Sequence, residues 1–152
     1  MSDSTNTDPM SRDNVMLKLQ GMKLTYARER VYANPVLLLS HFQEFEAYTT
    51  ILETHYGKLR EQEENKTAEV KQEEWESKKK FDAVVRERKE ANSKAKDKEM
   101  TQGEVDKNVE YRMRSIKANM KLLETETKSC RSHVNAMQSI LKAYGDEAKS
   151  VK

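Results

Sequence analysis

From Val109 onward, steps of four and three residues pass through Met113, Ile116, Met120, Leu123, Thr127, Cys130, Val134, Met137, Leu141, Tyr144, Ala148 and Val151, thirteen positions of which only Thr127 is a small hydroxylic residue in an otherwise largely apolar row. Steps of four and three hold side chains on one face of an α-helix, so the segment predicts one long helix with a heptad seam. Over about 42 residues such a helix extends roughly 60 Å, too long for an element of a compact bundle in so short a chain. The same spacing recurs upstream through Leu38, Phe42, Phe45, Thr49, Leu52, Tyr56 and Leu59, with one lapse at Thr49. Asn34 is a favoured N-cap residue and Pro35 suits the first helical position, where its missing N–H costs nothing, so a long helix is predicted to start there.

In the same register the first seam then meets Glu63, Lys66 and Val70 and fades inside EQEENKTAEVKQEEWESKKK. There helix rests on propensity and on opposite charges at helical spacing. Phe81, Val84, Val85, Arg88, Ala91 and Ala95 restore a thinner stripe. Thr101 and Glu104 match a capping box, and Met100 and Val105 fall at the positions of a hydrophobic staple, so a second helix should begin at 102. The expected organisation is a disordered polar tail over 1–13, a short helical segment over 14–33 built on Val15, Met16, Leu19 and Met22 with Gly21 as its stop, and helices over about 35–98 and 102–152. A link of roughly 4 to 6 residues would fold the two long helices into an antiparallel hairpin.

Composition agrees: 36% of the residues are charged, 36% are hydrophobic, and only 4 Gly and 2 Pro interrupt them, which excludes all-β folds and disfavours a doubly wound nucleotide fold. The fold class expected is all-α, a long antiparallel helical hairpin with coiled-coil seams. One narrow core of this kind is usually completed by self-association. A homo-oligomer is therefore expected, packed through Phe42, Phe45, Leu52, Tyr56 and Leu59 of the first seam and Ile116, Met120, Leu123, Val134, Met137 and Leu141 of the second.

Cys130 is the single cysteine, and no long apolar stretch, signal peptide or lipidation signal is present, which reads as a soluble, cytoplasmic protein of a reducing compartment with no membrane partner. Catalysis is hard to build. His41 and His55 are too far apart along one helix to share a metal, and Cys130 with His133 at seam spacing reads as a small hydrophobe rather than a nucleophile. The carboxylates between Glu61 and Glu76 have no fixed cleft to drive their pKa values apart, and there is no phosphate-binding loop. The chain is expected to be no enzyme and to carry no cofactor or metal.

The net charge of +2 hides a segregated distribution. Residues 44–76 carry 4 basic and 10 acidic side chains, whereas residues 78–100 carry 9 basic and 5 acidic. Lys78, Lys79, Lys80, Arg86, Arg88 and Lys89 form a basic rod flanked by Trp75 and Phe81, and Tyr111, Arg112 and Arg114 open the second helix. If the hairpin closes, cations and rings cluster at its loop end, the usual composition of a sequence-tolerant single-strand site. A competing reading accounts for the same residues as a solvated helix face with Phe81 in the core. Interleaved Asp82, Glu87, Glu90 and Glu99 argue against an anionic membrane as the partner.

In layout, the short segment with KLTY and NPVLLLS, the charged long helix and the helix opened by TQGEVDKNVEYRMRSIKANMKLLETETKSC resemble the UvsY-type recombination mediator proteins of tailed phages over most of residues 23–150. The resemblance implies a non-catalytic homo-oligomer that binds single-stranded DNA without sequence preference. It also implies that the protein helps a RecA-like recombinase displace a single-strand binding protein, in the host cytoplasm if phage-encoded. Carried over, it makes Lys58 and Arg60, together with Lys78, Lys79, Lys80, Arg86, Arg88 and Lys89, the expected phosphate contacts. The acidic stretch from Glu61 to Glu76 departs from a uniformly basic pattern and would face the recombinase or a neighbour's basic segment. The alternative is a coiled-coil scaffold or adaptor that binds proteins and no nucleic acid.

Overall fold

A computed structural model describes residues 8–150, and among them the chain is all-α, with 88% helix and no strand. The elements are α1 (Arg12–Arg28), a 3-10 turn (Val31–Ala33), α2 (Pro35–Ala91) and α3 (Gln102–Ser150). Their starts follow from local chemistry. Asn34 Oδ1 accepts from the backbone N–H groups of Val36 and Leu37, at 3.0 and 3.2 Å, which caps α2. At α3 the box is reciprocal: Glu104 N–H donates to Thr101 Oγ1 at 3.2 Å, and Thr101 N–H donates to Glu104 Oε2 at 3.3 Å.

The described residues fall into two compact units, one reaching to Lys58 and resuming at Leu122, the other Leu59–Lys121. In the first, Val15, Leu19 and Met22 of α1, Leu38, Phe45, Thr49 and Leu52 of α2, and Leu123, Thr127, Cys130, Val134 and Met137 of α3 are buried. Burial of each large side chain contributes about 1.5–3 kcal/mol, the main stabilisation available to so narrow an interior. Glu53 receives both Arg131 Nε, at 3.0 Å, and Arg131 NH2, and Tyr144 Oη donates to Tyr32 O at 2.7 Å. In the second unit, Val70, Val105, Val109 and Met113 form one cluster with Met100 and Ile116 packed against it. Partners there run in opposite senses: Glu73 and Glu74 meet Arg112, Asp82 meets Met100, and Arg86 meets Glu99.

Several boundaries differ from expectation. Of the segment expected to be a disordered tail, residues 1–7 lie outside the described residues. The rest is ordered: Ser11 caps α1, Asn14 Nδ2 donates to Asp8 O at 2.6 Å, and His55 Nε2 lies 2.7 Å from Met10 O. Gly21 does not stop α1, because burial of Val15, Leu19 and Met22 along one face outweighs a single poor helix former. α2 ends at Ala91 rather than near 98. Asn92 Oδ1 accepts from Lys94 N–H at 3.0 Å and Asn92 O accepts from Ala95 N–H at 3.0 Å, a side-chain and backbone turn that replaces the next helical bonds.

The inner stripe of α2 also leaves the heptad register. Beyond Leu59 the less exposed positions are Glu63, Thr67, Val70, Glu74, Lys78, Asp82 and Val85, so Thr67 turns inward and Lys66 outward. Their mean spacing is about 3.7 residues per turn, near the eleven-residue repeat rather than the seven. Without apolar side chains at every third or fourth place, nothing underwinds the helix to 3.5. As a result Phe81 and Val84, expected inward, are each 45% exposed, while Asp82 and Val85 are buried.

Leu52→Ala, at a fully buried site, should lower stability by about 2–5 kcal/mol. Leu122→Ala, on the exposed side of α3, should change it by less than about 0.5 kcal/mol. Urea unfolding of both variants checks the assignment.

Candidate nucleic-acid interface

The expected phosphate contacts separate into paired and unpaired groups. Arg86 Nε meets Glu99 Oε1 at 2.7 Å, Arg88 NH1 meets Asp97 Oδ2 at 3.2 Å, and Arg60 Nε lies 3.9 Å from Glu64 Oε1. Arg112 bridges Glu73 at 2.5 Å and Glu74 at 3.2 Å, which holds the Glu73 carboxyl below its ordinary range. Lys78 Nζ reaches Asp82 Oδ2 at 2.5 Å. Asp82 is only 4% exposed and its other oxygen accepts from Met100 N–H at 2.8 Å. The bond from Lys78 lowers the Asp82 pKa, the Met100 N–H adds to it, and burial opposes both.

Lys58, Lys79, Lys80, Lys89 and Arg114 have no ion pair among the described residues, and all are exposed. Across 78–100, removing the three pairs leaves Lys79, Lys80, Lys89, Lys94, Lys96 and Lys98 against Glu87 and Glu90. The surplus of positive charge is thus carried by lysines, whose compact ammonium groups meet phosphates as point charges.

The rings do not converge. Lys78 and Lys79 each place Nζ 5.6 Å from the Trp75 ring centroid, and Arg114 lies 5.6 Å from that of Tyr111. Trp75 is 41% exposed and Tyr111 72%, but no ring pairing among the described residues joins Trp75, Phe81 and Tyr111. Tyr111 and Arg114 leave α3 away from Val109 and Met113, as helical spacing requires. The expected cluster of rings and cations is therefore replaced by separate cation–ring contacts.

Of the residues expected to pack against other subunits, Phe45, Leu52, Leu123, Val134 and Met137 are at most 2% exposed within the single chain, so they have no free surface for a second copy. The reason is α1, which adds its own apolar face to their unit. Phe42, Tyr56, Leu59, Ile116, Met120 and Leu141 are half-buried. Tyr56 Oη donates to Glu124 Oε2 at 3.1 Å.

The first unit contains a cluster that sequence spacing along single helices missed. The His133 ring stands edge-on to Tyr26 and to Phe45, each at 4.6 Å between centroids, and lies 6.0 Å from His41. The Nε2 atoms of both histidines are buried without a hydrogen-bond partner among the described residues. Burial first, then the neighbouring His41 and Lys23, pushes the His133 pKa down to about 4, and burial lowers that of His41 against an opposing effect of Glu44. Only the partnering of three helices brings these rings together. Nearby, burial pushes the Cys130 thiol up to about 11, which leaves it a small hydrophobe and a poor nucleophile at neutral pH.

No family model matches the chain, and neither a curated protein nor a solved structure matches it.

An unfolded chain binds protons at His133 near the ordinary value of 6.5, whereas the folded one binds them only near 4. Stability is therefore full above about pH 6.5 and declines as pH falls toward 4. The melting temperature should drop across that window, and His133→Phe should flatten the drop relative to the parent. An unchanged pH profile in His133→Phe would refute the assignment. Separately, Asp82→Ala, which removes the acceptor of the Met100 N–H, should speed exchange of the Met100 amide hydrogen, read by hydrogen–deuterium exchange, while the amides of Val109 and Met113 stay protected.

Proposed function

We propose that this chain is a non-catalytic single-stranded DNA-binding mediator that helps load a RecA-like recombinase against a single-strand binding protein, as the UvsY-type resemblance implies. The observation that carries this reading is the row of exposed, unpaired lysines over 79–98, beside the exposed Trp75 ring. Salt bridges have consumed Arg86 and Arg88, and the residual positive charge of this stretch faces solvent. In this reading α2 and α3 form a long antiparallel hairpin with seams along their buried stripes. The hairpins assemble into a homo-oligomer, and linked subunits multiply weak phosphate contacts into a usable affinity. Because Phe45, Leu52, Leu123, Val134 and Met137 are occupied internally, self-association uses the half-buried seam positions and the exposed Leu17, Leu24, Val36, Leu37 and Leu39.

The competing scaffold reading is favoured by those same exposed apolar side chains, which suit a protein partner as well as a second copy. Anisotropy of a labelled single-stranded oligonucleotide separates the two. The mediator reading expects binding at low salt that weakens as salt rises, with the logarithmic slope reduced by about 0.7 for each phosphate-contacting lysine removed. Lys79→Glu with Lys80→Glu should weaken binding while leaving the Lys78–Asp82 pair intact. A folded, oligomeric sample that leaves the oligonucleotide free at low salt is a scaffold.

A further inference from the structure

The connection between α2 and α3 contains the alternating run Lys94, Ala95, Lys96, Asp97, Lys98, Glu99. Three contacts place it along α2: Asp97 to Arg88, Glu99 to Arg86, and Met100 N–H to Asp82. From residue 82 to 88 a helix advances about 9 Å, and from 100 back to 97 an extended chain covers about 10 Å. The match means that the connection runs beside α2 in nearly extended form. Side chains of an extended chain alternate between opposite sides. Asp97 and Glu99 therefore face α2, and the half-buried Ala95 falls on the same side. Arg86 and Arg88 are two residues apart, about 200° around the helix, so they grip this strap from both flanks. Lys96 and Lys98 are left on the outer edge and Lys94 stands in the Asn92 turn before them, all three exposed and none in an ion pair among the described residues.

We infer that this strap is a phosphate-binding comb: Lys96 and Lys98 on its extended edge, with Lys94 at the turn before them, contact phosphates of a single DNA strand, while Asp97 and Glu99 anchor the comb to Arg88 and Arg86. The inference rests on the single-strand reading above and deepens it, assigning the last three of its lysines to one strap with its own anchors. Lysines at alternate positions of an extended chain repeat at about 6.7 Å, comparable to the separation of adjacent phosphates in a stretched single strand. Asp97 between Lys96 and Lys98, and Glu99 just beyond, would normally blunt such an edge. Here the arginines neutralise the acids from behind, so the outer edge stays uniformly positive.

The test uses the full chain and a labelled single-stranded DNA oligonucleotide in anisotropy titrations across salt, with helicity checked by circular dichroism. Lys94→Gln/Lys96→Gln/Lys98→Gln should lower the salt slope by about 2, the value for three single-strand phosphate contacts. The control Lys107→Gln/Lys117→Gln/Lys142→Gln removes the same charge from exposed positions elsewhere and should leave the slope near that of the parent. A register swap, Lys96→Asp/Asp97→Lys/Lys98→Glu/Glu99→Lys, keeps net charge but turns the acids outward, and should weaken binding as the glutamine variant does. Equal losses in the comb and control variants would overturn the inference, leaving net charge as the only determinant. So would a folded register swap that binds like the parent. If the swap does not fold, the comparison of glutamine variants decides alone. A parent that never binds single strands removes the functional reading and the comb with it, whereas a binding parent with an indifferent comb removes the comb only.

Discussion

A buried carboxylate, that of Asp82, organises the second unit. One of its oxygens takes Lys78 and the other takes the backbone N–H of Met100, which joins a helix interior to the last residue before the α3 cap. A carboxylate at 4% exposure is costly unless its oxygens are satisfied, so the residue that satisfies it from the connection is held at a defined place. Met100 is thereby set against Val70, Val105, Val109 and Met113, and Thr101 follows at the position where its hydroxyl caps α3. The staple, the cap and the path of the connection are consequences of one anchored backbone amide.

That anchor also explains why α2 changes its period. Asp82 and Lys78 replace the apolar residues that a heptad would demand, and a salt-bridged pair four residues apart suits the natural pitch of a helix. Once the inner stripe has drifted, Phe81 and Val84 are carried outward and Trp75 stays half exposed. The cost of exposing these rings and methyls is set against a satisfied polar interior. Such an interior contributes less hydrophobic stabilisation than the leucines of the first unit, and it defines register through hydrogen bonds instead.

What was legible in the sequence was the chemistry that acts within a few residues. The Asn34 cap, the Thr101–Glu104 box and the α3 stripe from Val109 to Tyr144 follow from local spacing and appear where they were expected. The all-α class follows from the same signals. Less was legible where distant segments compete. Gly21 reads as a stop until α1 is given a buried face, and the α2 end at Ala91 depends on an Asn92 turn that looked like continued helix former territory. Candidate cations were found by type, but their partners were not. Arg86 and Arg88 lie thirteen and nine residues from their acids across a connection whose course no periodicity describes.

Electrostatics, more than packing, decides what the second unit can offer a partner. Exposed ion pairs contribute little stability, about 0–1 kcal/mol, so pairing Arg86 and Arg88 with Glu99 and Asp97 does little to hold the fold together. Its effect is on the pattern of the surface. A guanidinium presents a planar fork suited to two oxygens at once, and committing it to a carboxylate removes the directional recognition that arginines would bring to bases or phosphates. The ammonium groups left over attract phosphate with little directional demand. In the proposed reading such a surface would favour charge along a backbone over the identity of bases, and that preference would arise from which cations the fold has already paired rather than from how many it contains.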